Sequence, residues 1–266
     1  MAGGGSPNRR NTGKTEINSV KDFRMMTPDE FKWIFEKVKD TPKASIYLRQ
    51  LIYNKAVRGQ LHTQCADDNS ALLLLEKIEQ DRWHQIKLSK IKKYKLPMVS
   101  KHPPFDLPDK WLWVPLGSVG NIFSGNSMDA MTKERFIKKA NGLPYIATKD
   151  IEYYGAEPNY NNGVFIPSSE KKFKIAQSGS VLICAEGGSA GKKIAITNRD
   201  VCFGNKLFAN KPFEGVCSQF ISYVYSSNFF SSLFVEQMTG VIGGISLKKF
   251  LQLPFPLPPL EEQKRI

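Results

Sequence analysis

GSVLICAEGGSAGKKIAI, residues 179–196, decides how the rest of the chain is read. Val181, Leu182, Ile183 and Cys184 form a short apolar run rich in β-formers, and Lys193, Ile194, Ala195 and Ile196 resume it. Between them Glu186, Gly187, Gly188, Ser189, Ala190 and Gly191 make a tight loop, so the stretch predicts strand, turn, strand. Three glycines let that loop turn sharply and come close to a partner. Lys192 and Lys193 put cations beside the exposed backbone, a combination suited to phosphate or a nucleic-acid groove. A nucleotide-hydrolysing P-loop is excluded. Gly191 and Lys192 supply its G-K pair, but Glu186 stands at the first glycine position and Lys193 at the hydroxyl position. An ordinary ligand-free hairpin remains the alternative for the same residues.

Outward from this hairpin the chain keeps to short strands with glycine and asparagine turns. GLPYIATKDI, NNGVFIP and VCFGNKLFA each fit a strand with its turn. Residues 218–231 and 234–238 read as helical, and a second glycine loop with basic residues follows at 240–249. The tail LPFPLPPLEEQKRI ends as Pro259 launches a helix through residues 260–263. Upstream, Trp111 and Trp113 stand at strand spacing after a proline-rich connector. Before that the pattern is helical. Thr27, Pro28 and Glu30 form a capping box with proline at the first helical position. A second helix runs from about Ala44 to Arg58 and stops at Gly59. A third starts near Ser70 and is expected to continue to about Lys95, with Lys87, Lys90, Lys92, Lys93 and Lys95 at its end.

The fold class expected is therefore α+β. A disordered basic arm covers 1–26, a helical scaffold segment 27–96, a linker 97–108, a mixed β-rich domain 109–253, and the start of a further helix 254–266.

Composition narrows the function. The chain has 266 residues, 41% hydrophobic and 24% charged, which suits a globular protein. No apolar run approaches 18 residues and the start lacks a signal-peptide core, so the expected location is cytoplasmic, with no membrane partner. Cys65, Cys184, Cys202 and Cys217 are scattered among only three histidines, which supports neither a disulfide framework nor a metal site. The net charge of +13 suggests a polyanionic partner, most often nucleic acid, although many basic globular proteins never touch one.

Several features now coincide in one order: LRQLIYNKAVRGQL, a basic helix, PFDLPDKWLWVPLGSV, GLPYIATKDI, the EGGSAGK loop, GISLKKF and PLPPLEEQKRI. Together they closely resemble the DNA-specificity subunit of type I restriction–modification systems, over one target-recognition domain from about Ala44 to Ile266. The resemblance implies a non-catalytic subunit that reads a double-stranded DNA half-site and positions methyltransferase and endonuclease subunits. S-adenosylmethionine, ATP and magnesium then belong to those partners, and no cofactor to this chain. The residues agree, with neither a G-x-G-x-x-G fingerprint nor an adenine-methylating tetrapeptide. Asp150 with Glu170, Lys171 and Lys172 mimics a metal nuclease's D…E-x-K without a supporting cluster. Members of the family typically carry two recognition domains, so this chain is either a fragment or a half-length subunit that pairs with a second half-subunit or with itself.

Reading DNA takes phosphate contacts for position and base-edge contacts for sequence. The phosphate candidates are Lys149, Lys192, Lys193, Lys206, Lys248 and Lys249, each beside a turn or glycine loop. The base-edge candidates are Glu186, Ser189 and Asn205, with Gly187 and Gly188 allowing close approach. Tyr153 and Tyr154 are candidates for the backbone or a displaced base, whereas Tyr145 and Trp111 read as core. A basic protein-interaction module that never meets DNA is the alternative function.

Overall fold

A computed structural model of the chain describes residues 27–41, 43–97, 103–137, 141–153, 157–240 and 243–266. The arm expected over 1–26, and Tyr154, lie outside the described residues.

Three helices come first, α1 (Pro28–Val38), α2 (Ala44–Ala56) and α3 (Ala71–Lys87). The capping box at Thr27 forms as its residues dictate: the Glu30 amide donates to Thr27 Oγ1 at 3.2 Å, and the Thr27 amide to Glu30 Oε2 at 2.8 Å. Ser70 caps α3 by accepting from the Leu72 amide. The far end of α3 corrects the expectation of a helix to Lys95. Ser89 turns left-handed at φ 54°, and buried Arg82 donates to the Tyr94 carbonyl at 3.1 Å, folding the lysine-rich stretch back. A continued helix would stack the lysines as like charges and carry Ile91, Tyr94 and Leu96 away from the core they pack against.

The β-rich part opens with β1 (Leu112–Pro115), β2 (Gly120–Ser124), α4 (Ala130–Phe136), β3 (Leu143–Ile146), β4 (Phe165–Ile166) and β5 (Ile175–Ala176). The expected hairpin follows as β6 (Val181–Cys184) and β7 (Ile194–Ile196), then β8 (Val201–Phe203) and β9 (Leu207–Pro212). Helices α5 (Ser218–Ser226), α6 (Asn228–Gln237) and α7 (Leu247–Leu251) precede β10 (Pro254–Leu257) and α8 (Leu260–Arg265). Among the described residues no helix is long and apolar enough to cross a membrane.

Two four-stranded sheets stack, one in the order β2-β9-β6-β7 and the other β4-β3-β8-β5. The hairpin pairs antiparallel, Val181 opposite Ile196 and Ile183 opposite Ile194. Its first strand is buried on both faces. Val181 and Ile183 join the core under α5–α7, while Leu182 and Cys184 join a second core with Ile146, Val201 and Phe203 of the other sheet. That double burial is why β6 reads as an unbroken apolar run and not as alternation. Residues 201–209, one segment in the sequence, divide between the sheets, with the chain crossing at Gly204–Lys206.

The helical segment and the β-rich part pack into one another. Val57, Ala71, Leu74 and Ile78 of the helical segment share one core with Trp111, Phe220 and Phe255. Phe105 meets Trp113 and Phe229 edge-on, under the Arg58 guanidinium at 4.2 Å. Across the α2–α5 contact Tyr53 stacks on Tyr223, and Gln50 donates to the Ser226 carbonyl.

Burial also grades the cysteines. Cys65 is exposed, whereas Cys184 and Cys202 are buried. Desolvation raises both buried thiols, Cys202 to about 11. Thiolate is the reactive form, so at pH 8 a disulfide reagent is expected to titrate Cys65 promptly and to reach Cys184 and Cys202 only on unfolding. Prompt labelling of Cys202 in the native protein would contradict this packing.

Candidate nucleic-acid interface

The hairpin loop lies at the centre of the candidate face because backbone hydrogen bonds fasten it to neighbours on both sides. The Ala185 amide donates to the Lys206 carbonyl at 2.8 Å, the Gly187 amide to Gly243 at 2.8 Å, and the Ile245 amide to Ala185 at 3.1 Å. Glu186 bridges to Gly244, and Tyr153 to Lys193. Loops from four places in the chain thus meet on one surface: 148–153, 186–192, 204–206, and 239–240 with 243–246. Gly191 is held at φ 72° with the Phe234 ring directly beneath it; a Cβ there would stand 2.9 Å from that ring.

On one flank Tyr153 Oη lies 3.5 Å from Ser189 Oγ. Lys193 donates to the Thr148 carbonyl at 3.1 Å and its ammonium sits 5.3 Å from the Tyr153 ring centre, so Lys193 braces this flank. Lys149 is exposed on the turn beside them, and Lys192 is exposed on the loop, with Nζ 3.5 Å from the Gly188 carbonyl. On the other flank Lys206 Nζ lies 3.6 Å from Glu186 Oε1, and Asn205 is exposed next to it. Lys248 is exposed on α7, while the Lys249 ammonium donates to the Gln237 carbonyl at 3.2 Å, closing the C-terminus of α6. Tyr145 and Trp111 are buried core residues; burial pushes the Tyr145 phenol up to about 12, and its hydroxyl donates to the Asn126 carbonyl.

Between the two glycine loops is a cavity of about 630 Å³, lined by Ser124, Glu186, Asn205, Thr239 and Ser246 over a floor of Phe208 and Ile245. Reading the sequence missed Ser124, Thr239 and Ser246. The signal for Thr239 was the glycine pair that follows it, since the Thr239 amide donates to the Gly244 carbonyl and closes that loop. Ser246 is marked as the N-cap of α7, accepting from the Lys249 amide, whereas Ser124 carries no local mark. The arrangement offers small polar groups of either hydrogen-bonding sense, with Lys206 beside Glu186 and apolar side chains behind.

Comparison with known proteins shows the family. The model of the type I restriction modification DNA specificity domain matches residues 108–266. The chain is similar to the type I restriction enzyme EcoAI specificity subunit of Escherichia coli, 30% identical over 229 residues, covering 82% of this chain and 38% of that protein. It is also similar to the EcoEI specificity subunit of Escherichia coli, 27% identical over 232 residues, covering 82% and 37%. Among solved structures, the HsdS subunit from Thermoanaerobacter tengcongensis aligns over 88% of this chain and 48% of its own at 23% identity and a TM-score of 0.47. The chain spans well under half the length of its curated relatives. With most of its residues inside the family's model, the chain belongs to the type I restriction–modification DNA-specificity family.

Proposed function

We propose that this chain reads one half of a bipartite double-stranded DNA site and holds the methyltransferase and endonuclease subunits of a type I restriction–modification complex around it. The observation that carries the reading is the convergence of four loops on one face, with Lys149, Lys192 and Lys206 exposed on three of them and a cavity lined by Glu186, Asn205 and Thr239 beside Lys206. Lysines neutralise phosphates and fix the register, while the polar side chains meet base edges. Trp33 and Tyr47, 63% and 58% exposed on α1 and α2, support a protein partner on the helical segment.

The chain is assigned no catalytic step; S-adenosylmethionine, ATP and magnesium act on the partner subunits, in the cytoplasm. Asp150 and Glu170 have structural uses that fit this assignment. The Asp150 carboxylate accepts from the Ala147 amide at 2.9 Å, and Glu170 faces Arg135 at 3.8 Å.

Co-expression with the cognate methyltransferase subunit, followed by mapping of modified adenines across a plasmid library, tests the reading. An inverted-repeat motif means two copies of this chain act together. An asymmetric motif means another chain supplies the second recognition domain. A soluble complex that leaves DNA unmodified, with a chain that does not bind duplex, overturns the proposal. At the residue level, Lys192→Ala is expected to weaken binding to every sequence alike and to lower the slope of log affinity against log salt by about one unit. An unchanged slope in a salt titration takes Lys192 out of the phosphate set.

A further inference from the structure

Glu186 carries the opposite sign from the lysines around it, and its place is fixed. Its backbone is held from both sides, by the bonds from Ala185 to Lys206 and from Gly187 to Gly243. Its side chain is 43% exposed and lines the cavity between the glycine loops. Among the described residues no protein donor is hydrogen-bonded to its carboxylate. Its charged neighbour, Lys206 Nζ, stands at 3.6 Å, beyond hydrogen-bond distance, and is itself 52% exposed. The acceptor capacity of the carboxylate is therefore unspent.

A carboxylate accepts hydrogen bonds and cannot donate them. Against a duplex it is repelled by phosphates and gains only where it meets a donor. On the major-groove edge the donors are the N4 amino group of cytosine and the N6 amino group of adenine. Guanine shows O6 and N7 there and thymine O4, all acceptors. Asn205, on the same cavity, both donates and accepts and so imposes no such sign.

We propose that Glu186 selects an amino-bearing base, cytosine or adenine, at one position of the half-site and rejects guanine and thymine there. As DNA docks, Lys206 passes from Glu186 to a backbone phosphate, so that the base amino group takes its place beside the carboxylate. The inference rests on the DNA-reading assignment above.

The test measures binding of the full chain to duplexes carrying each base pair in turn at every position of a half-site selected from a random pool. The wild type is expected to favour cytosine or adenine at one position by about ten-fold or more over guanine and thymine. Glu186→Gln keeps the shape and adds a donor; it is expected to bring guanine or thymine at that position within a few-fold, with other positions unchanged. Pyrimidin-2-one for cytosine, or unsubstituted purine for adenine, deletes the amino group and identifies which base is read: the effective swap lowers wild-type affinity by the same factor. Lys206→Ala is expected to weaken all sequences and keep the preference. A Glu186→Gln chain that binds with the wild-type preference at every position overturns the proposal and leaves DNA reading intact. So does a preference for guanine, whose amino group lies in the minor groove. A wild type that binds all duplexes equally overturns both.

Discussion

Trp111→Ala is expected to cost roughly 5 kcal/mol and to leave little of the folded protein at moderate denaturant, because two separate contributions are lost together. The first is volume: Trp111 is buried, edge-on to Phe220, and truncating a buried tryptophan typically costs about 3–5 kcal/mol. The second is a hydrogen bond. The indole Nε1 donates at 2.7 Å to Glu262, whose side chain is buried on the first turn of α8. The other carboxylate oxygen accepts from Thr63 Oγ1 at 2.9 Å and Gln64 Nε2 at 2.6 Å, in the loop between α2 and α3. Arg265 reinforces the same contact by pairing with Asp68. Trp111→Phe separates the contributions. It keeps most of the ring and removes the donor, and is expected to cost about 2 kcal/mol, the range for a bond to a charged group. Urea unfolding of both variants provides the measurement. A phenylalanine variant as stable as the wild type would show that the bond to Glu262 contributes nothing.

Gly191→Ala is expected to destabilise by about 3 kcal/mol. A left-handed residue with a Cβ costs roughly 1–2 kcal/mol, and forcing that Cβ onto a packed ring adds a similar amount. The ring is that of Phe234, fully buried against Phe230 and Phe250, so it has no room to retreat. Gly188→Ala, three residues away, is the matched comparison: its φ is not positive and nothing lies within 4 Å of a Cβ built there. It is expected to stay within about 0.5 kcal/mol of the wild type, as surface substitutions do. Equal losses at the two positions, read by chemical denaturation, would remove Phe234 contact and backbone handedness as the cause. The pair also separates the loop's two jobs. Gly191 seats the loop on the core, and Gly188 is exposed on the proposed DNA side.

What the sequence determined by itself is what neighbouring residues decide among themselves. The capping box at Thr27 and Glu30 closes over three residues, the Ser70 cap over two, and the β6–β7 hairpin forms between strands joined by one short loop. The nearness of lysines to glycine turns is local in the same way. The order of several such local signals also sufficed to recognise the family. The tertiary structure decided the rest, through contacts whose partners lie far apart in the chain. α3 ends at Lys87 because Arg82 and the core claim the residues that lysine spacing alone would leave helical. Glu262 looks like any solvent-facing glutamate in LEEQKRI, yet Trp111, 151 positions earlier, buries and bonds it. VCFGNKLFA divides between two sheets because β3 and β6 offer separate edges to its two halves. The candidate site follows the same rule. Tyr153, Glu186, Asn205 and Thr239 have no pattern in common along the chain. They share a face because backbone pairing from residues 185–193 reaches residues 153, 206 and 243, and sequence periodicity encodes nothing at that range.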